Sequence, residues 1–424
     1  MSAAPAIPGL VCADRPRGGL RLLFVAPYVP SPIRVRPFQL LRALAARGHT
    51  VTLVCPLSGP ADDDSLETLR RLCTVVAVPH GRGATLQAYL RALPGSLPLQ
   101  AAHCLSPALI AAVREVIAGG GFDVVHIEHL RGAEVARAAA AGLPATPPLV
   151  LDAVDSISLL FERTVRHSPV LAARAMALID LARTRRYEAA YGRSFAQVVV
   201  TSPEDCWALQ TLRAAFGEPA GTQITVVPNG VDCTYFQPPQ TARDPASIIF
   251  SGKMSYHANE AAALFLLQEI MPLVWQQRPA ARAVIAGAHP GPKLRAYARD
   301  PRIAVTGYVP DLRPQLAQAS VAVAPLRYGV GVQNKVLEAM AMGTPVVAAR
   351  QATLALNARP GVELQIADDA QSYADRIVEL IDDPGRAASQ GQAGRAYVER
   401  HHSWDGSVRL LEQVYAMARQ TVGA

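Results

Sequence analysis

The stretch Val321–Arg350, VAVAPLRYGVGVQNKVLEAMAMGTPVVAAR, reads as strand, glycine-broken loop, helix, turn and strand. Val321 to Leu326 is a short apolar run, as in a strand buried on both faces. Tyr328, Gly329 and Gly331 interrupt it. Asn334 can cap a helix carrying Lys335 to Ala341; Gly343 ends it, and Thr344-Pro345 leads into a second buried strand, Val346 to Ala349. Strand, helix and strand in this order predict a parallel sheet. Two charges stand out in the apolar helix. Lys335 and Glu338 are three apart and share a face. A glycine loop, a helix N-terminus and a lysine suit a phosphate, and a carboxylate one turn on can accept two hydrogen bonds from a ribose diol. The competing reading is an i,i+3 surface ion pair on an ordinary helix.

The same alternation extends in both directions. Leu20 to Pro27 is a buried strand, Val35 to Arg47 a helix with Phe38, Leu41, Leu44 and Ala45 on one face, and Val51 to Cys55 the next strand. Arg34 and Arg36 project from the loop after the first strand, where open α/β sheets place ligands. They read equally as phosphate contacts or as solvated arginines at a helix start. FDVVHIEHLRG puts His126, Glu128 and His129 at the C-terminal mouth of a buried strand. His126 reads as a hydrogen-bonded core histidine, and Glu128 and His129 as cleft residues. Metal binding by these three is disfavoured by the awkward geometry of two imidazoles three apart at a strand end.

Ser156 to Arg193 is a long basic helical region. Its arginines, Arg163, Arg166, Arg174, Arg183, Arg185, Arg186 and Arg193, with interspersed Leu, Met and Ile, read either as a surface resting on anionic lipid or as a helix pair with a solvated arginine face. Gln237 to Ala246, QPPQTARDPA, breaks both periodicities and marks a domain boundary. Strands at Ser247–Phe250, Arg282–Ala286, Ile303–Thr306 and Leu364–Ala367 follow, with a helix from Glu260 to Gln277 and a last one from Trp404 to Val422. Two such sheets face each other across one cleft, a setting for a diphosphate donor on one wall and an acceptor on the other.

With 424 residues the chain has room for two or three domains. Mean hydropathy is +0.16, yet no apolar run is long enough to span a bilayer. The opening MSAAPAIPGLVCADRPRGG has no basic start and is broken by Pro5 and Pro8, so it is expected to be a disordered leader, with a cytoplasmic location. Six cysteines without CxxC spacing read as buried free thiols. A net charge of +7 fits phosphate-bearing substrates or an acidic membrane surface. Nucleic acid is disfavoured by the lack of zinc-finger or RNP patterns and by 6% aromatics.

The ordered set RLLFVAPYVPSP, FDVVHIEH, VVPNGVDCTYFQP (226–238), FSGKMSYHANEAA (250–263), VTGYVPDLRPQLAQASVAVAPL and NKVLEAMAMGTPVV resembles the GT-B glycosyltransferases of family 4. The likeness covers nearly the whole chain and is most similar to a bacterial subgroup linked to exopolysaccharide assembly. It implies an α/β GT-B fold, two Rossmann-like domains facing across a cleft. Residues 1–19 are then the leader, 20–238 the acceptor-side domain, 239–403 the nucleotide-sugar domain, and 404–424 a helix crossing back to the first domain. The implied activity is transfer from a nucleotide-diphosphate sugar, UDP- or GDP-linked, to a glycan, lipid-linked or small-molecule acceptor, with retention and without metal. No cofactor is implied, because the nucleotide-sugar is a substrate. Peripheral contact with the inner face of an anionic membrane fits a lipid-linked acceptor.

By position, the resemblance gives Glu338 to the ribose and Gly252 and Lys253 to the diphosphate. Tyr308 and Val309 border the base. Gly329, Gly331, Val332, Gln333 and Asn334 wrap the sugar and distal phosphate, with Lys335 adding charge. Glu128 or His129 takes the place of the family's active-site histidine, and Lys253 assists the leaving group. The loop Ser31 to Arg36 closes on the phosphates. Two departures stand out: Val330 replaces the first of two glutamates usual in the opening stretch, and Ser31-Pro32-Ile33 replaces a glycine pair. The first motivates one rival, a nucleotide-sugar-binding protein that has lost catalysis; the other rival is a nucleotide-sugar 2-epimerase-like enzyme on the same architecture.

Overall fold

The computed structural model describes residues 18–32, 34–59, 62–168, 170–219, 221–328 and 332–422. Gly329, Val330, Gly331, Ile33 and nearly all of the expected leader lie outside them. Seven parallel strands form the first sheet: β1 (Arg21–Val25), β2 (Thr50–Leu57), β3 (Thr74–Pro79), β4 (Val124–Glu128), β5 (Leu149–Val154), β6 (Gln197–Val200) and β7 (Ile224–Val226), in the order β3-β2-β1-β4-β5-β6-β7. The second holds β8 (Ser247–Ser251), β9 (Arg282–Ala286), β10 (Ile303–Gly307), β11 (Val321–Ala324), β12 (Val346–Ala348) and β13 (Gln365–Ile366), in the order β10-β9-β8-β11-β12-β13, again parallel. Every residue of β4, β6, β8, β11 and β12 is buried, which is why these strands read as continuous apolar runs. Each sheet reverses its winding once, between β1 and β4 and between β8 and β11, where open sheets form ligand crevices.

The last two long helices join the halves. Pro384–His401 packs against Asn334–Ala341 in the second half, with Gly394 facing Met340. Trp404–Val422 then lies on the first sheet: Val408, Leu411, Val414 and Tyr415 enter the same core as Phe24, Leu41 and Val150. Arg47 holds Glu412 at 2.8 Å and Asp405 at 2.9 Å from outside.

Three local expectations need correction. Asn334 is the first residue of its helix, not its cap; Gln333 precedes it in extended conformation, and no side chain caps the end. The single helix expected from Glu260 to Gln277 starts at His257 and contains a π-turn at Leu266–Ile270. Pro272, two residues past the turn, has no N–H to donate, so the ladder widens there instead of breaking. The basic region resolves into Ile157–His167 and Leu171–Ala189, but the latter's buried stripe is Ala177, Asp180, Thr184 and Glu188. Its large apolar side chains face outward.

Candidate active site

A cleft of about 420 Å³ lies between the sheets. Val35, Phe38 and Arg42 from the helix Val35–Ala46 form one wall with Asp232. The other wall is Gly252, Lys253, Gly287, Tyr308, Val309 and Glu338. Thus residues from four separate stretches of the second half meet at one surface.

The floor exists because two loops touch. Gly252 (φ 153°) and Gly287 (φ 148°) lie back to back after β8 and β9. A Cβ on Gly287 would sit 1.8 Å from the Gly252 carbonyl oxygen, and one on Gly252 would sit 2.8 Å from Asn259 Nδ2. Only glycine allows this approach, and it leaves backbone rather than side chains facing the cleft. Lys253 stands exposed beside the floor.

Lys335 is half-buried behind it. Its Nζ donates to Asn259 Oδ1 at 3.1 Å and Gln333 Oε1 at 3.2 Å, and stands 5.7 Å from the Phe250 ring centroid. Among the described residues no ion pair joins it to Glu338, so the surface-pair reading does not hold. Burial lowers the Lys335 ammonium to about 8, against the pull of Glu338. Burial likewise raises the Glu338 carboxyl to about 7, against Lys335. Neither charge is neutralised by a close partner, and Glu338 faces the cleft. Tyr308 is exposed, Val309 and Gln333 are half-buried, and Val332 is buried.

The first half behaves differently. Arg36 does not reach the cleft: it is buried, pairs with Asp152 at 2.7 Å, and donates to Asn229 Oδ1 at 2.8 Å and the Val227 carbonyl at 3.1 Å. His126 is also no cleft residue. It is wholly buried, stacked on Phe24 at 4.3 Å, with Nδ1 paired to Tyr415 Oη at 3.0 Å. Glu128 is buried beside them, and burial, then Asp152, raises its carboxyl well above the usual range. His126, Glu128 and Asp152 bring ligand-type atoms within 4.8 Å of one another, but the cation already seated there is Arg36.

His129, half-buried, opens the next helix at φ 62°, with Nδ1 accepting the Arg131 N–H at 3.2 Å. Burial, then Arg131, lowers it to about 3, so the ring is neutral with its proton on Nε2. Arg34 remains exposed, over the Tyr28 ring at 4.4 Å, while Ser31 Oγ accepts its backbone N–H at 3.3 Å.

Sequence reasoning gave no role to Asn229, yet it joins the halves. Its Nδ2 donates to Asn334 Oδ1 at 3.1 Å, so Asp152, Arg36, Asn229 and the donor-side helix form one hydrogen-bonded chain. The signal was the PNGVD turn at a strand end, where Gly230 packs against the start of the last helix.

Two facing Rossmann-like sheets with this cleft define the GT-B class. A family model described as Glycosyltransferase Family 4 matches residues 35–235, and one described as Glycosyl transferases group 1 matches 245–383, so each half of the chain matches one glycosyltransferase domain model. A D-inositol 3-phosphate glycosyltransferase of Acidothermus cellulolyticus is 30% identical over 48% of this chain and 50% of its own; the chain spans about half the length of that relative. A phosphatidyl-myo-inositol mannosyltransferase of Mycobacterium leprae is 24% identical over 93% of this chain and 96% of its own. Anabaena HepE in complex with UDP-glucose shares the fold, with a TM-score of 0.64 and 16% identity over 94% of this chain and all of its own. Neither relative's name mentions an exopolysaccharide. No helix among the described residues is long and apolar enough to cross a membrane.

Proposed function

We propose that the chain transfers a sugar from a UDP- or GDP-sugar to an acceptor held by the first half, with retention and without metal. The observation carrying this is the convergence of Glu338 and Lys253 on one cleft over a side-chain-free glycine floor. The HepE complex supports a nucleotide-sugar as donor. In this reading Glu338 accepts from the ribose diol, the diphosphate lies over Gly252 and Gly287, and Tyr308 and Val309 border the base. Lys253, Lys335 and the N-terminus of Asn334–Ala341 offset the charge that builds on the leaving diphosphate.

The acceptor hydroxyl attacks from the face the diphosphate leaves. The anomeric C–O bond to phosphate breaks, the glycosidic C–O bond forms, and the acceptor proton passes to the departing phosphate oxygen. His129 Nε2–H serves as hydrogen-bond donor at the acceptor side. Glu128, being buried, acts through the frame around it. An exopolysaccharide acceptor and an inositol-phosphate acceptor, the latter suggested by the relatives' names, both fit this scheme.

The test is product analysis with UDP- and GDP-sugars, with and without acceptor. Acceptor-dependent product of unchanged anomeric configuration is expected. Product without acceptor points to an epimerase, inversion overturns the mechanism, and binding without turnover points to a non-catalytic protein.

A further inference from the structure

A second cavity, of about 340 Å³, opens on the flank of the first half and shares no lining residue with the donor cleft. Three separate segments meet around it. The end of the helix Leu171–Ala189 and the short helix Tyr191–Ser194 after it supply Tyr187, Tyr191 and the following Phe195. The helix His129–Ala140 supplies Glu134 and Arg137, and the turn before Leu99–Ala102 supplies Ser96. The rings pack edge to face, Tyr187 to Tyr191 at 5.8 Å and Tyr191 to Phe195 at 5.9 Å. Aromatics at this helical spacing are ordinary core, and Tyr191 and Phe195 do join the core of the first sheet.

Core packing does not account for the Tyr191 hydroxyl. The residue is 2% exposed, and its Oη is shut from water without a hydrogen-bond partner among the described residues. Burial, then Glu188, raises this hydroxyl well above its usual range, so it keeps its proton and lacks an acceptor. Glu188 does not serve, because its oxygens are taken by Ser156, Ile157 and Ser158. A buried donor left unbonded is costly, and a phenylalanine would pack the same ring without that cost.

The rest of the lining narrows what brings the acceptor. Glu134 is 7% exposed, and its charge is already met: Arg137 donates to it from Nε at 2.9 Å and from Nη2 at 2.5 Å, and Tyr187 Oη donates at 3.1 Å. Among the described residues these are the only charged groups lining the cavity, and they cancel, so its walls select neither an anion nor a cation. Three of the roughly four acceptor positions of the carboxylate are filled, which leaves about one for a ligand hydroxyl. Ser96 and Ser194 add hydroxyls to the lining. Neutral walls, an aromatic side and polar groups of both kinds match a ring with an apolar face and uncharged hydroxyls around its edge.

We propose that this cavity is a saccharide-binding site, in which the aromatic side takes the apolar face of one sugar ring and Tyr191 Oη donates to one of its oxygens. The proposal goes beyond the sugar-transfer reading and does not rest on it. The rival ligand is a plain aromatic ring, which fills the same walls but leaves the carboxylate and the serines unanswered.

The test titrates methyl α-D-glucoside, methyl α-D-mannoside, methyl N-acetyl-β-D-glucosaminide and phenol into wild-type protein, Tyr191→Phe, Ala190→Leu and Glu338→Ala, read by ligand-observed NMR. Ala190 lines the cavity, and the larger side chain fills it. At least one glycoside should bind wild-type with a millimolar Kd, as suits so few atoms. Tyr191→Phe should lose about tenfold in that affinity while its melting temperature holds or rises, because the variant removes an unbonded buried hydroxyl. Ala190→Leu should also bind at least about tenfold more weakly, and Glu338→Ala should bind like wild-type. No binding of any glycoside, or binding of phenol alone, overturns the proposal. So does an affinity unchanged in Tyr191→Phe, or one lost in Glu338→Ala, which puts the sugar in the donor cleft. A Tyr191→Phe protein that melts several degrees lower shows the hydroxyl to be bonded within the fold and also overturns it. UDP- and GDP-sugar binding is measured in parallel: its absence alongside glycoside binding removes the transferase reading and leaves this site standing.

Discussion

Two strand-end clusters in this molecule hold similar residues for opposite purposes. At the ends of β4 and β5, Arg36, Asp152, Glu128 and His126 are buried and answer one another. Beyond β8 and β11, Lys253 and Glu338 line an open cleft with Lys335 behind its floor, and among the described residues none of the three has an ion-pair partner. A paired, enclosed charge fixes the frame; an unpaired one at a cleft is available to a ligand. The difference predicts which substitutions unfold the protein and which only silence it.

The largest effect is expected from Arg36→Met. It leaves Asp152 buried without its partner and should cost about 3–5 kcal/mol in denaturant unfolding. A loss of less than about 1 kcal/mol would place Arg36 outside the frame. Lys253→Ala should do the reverse: stability within about 0.5 kcal/mol, because the side chain is exposed, and kcat down about a hundredfold from the loss of one preorganised charge at the leaving group. A raised KM with unchanged kcat contradicts that role.

Asn229→Ala breaks the hydrogen-bonded chain that runs from Asp152 and Arg36 to Asn334. Its expected cost is about 1 kcal/mol of stability, with donor KM raised about fivefold while kcat holds. A kcat loss alone points to a role other than positioning Asn334. The smallest effect is on pH. Glu338 loses its charge as pH falls through about 7, and Lys335 loses its charge as pH rises through about 8. Free-enzyme kcat/KM should therefore be bell-shaped between these limbs. In Glu338→Gln the acid limb should vanish.

What was legible in the sequence follows the same contrast. Buried parallel strands read as apolar runs, so β8, β11 and β12 were visible; helical spacing put Lys335 and Glu338 on one face, and the family resemblance, not the spacing, offered Glu338 to the ribose. Arg34 and Arg36 could not be told apart by local pattern. Their fates depend on Asp152 and Asn229, 116 and 193 residues away from Arg36. His126 was readable as a core residue, but Tyr415, which holds it, comes from 289 residues downstream. The helix Leu171–Ala189 misled for a specific reason: its acids serve as caps for neighbouring helices, which no periodicity encodes.

The central claim is that the cleft between the sheets holds a nucleotide-sugar through Glu338. Calorimetric titration of UDP- and GDP-sugars into wild-type and Glu338→Ala tests it directly. At least one donor should bind wild-type, with Kd raised roughly 10- to 100-fold in the variant and an unchanged melting temperature. An unaltered Kd in Glu338→Ala, or no binding of any such donor to wild-type, contradicts it.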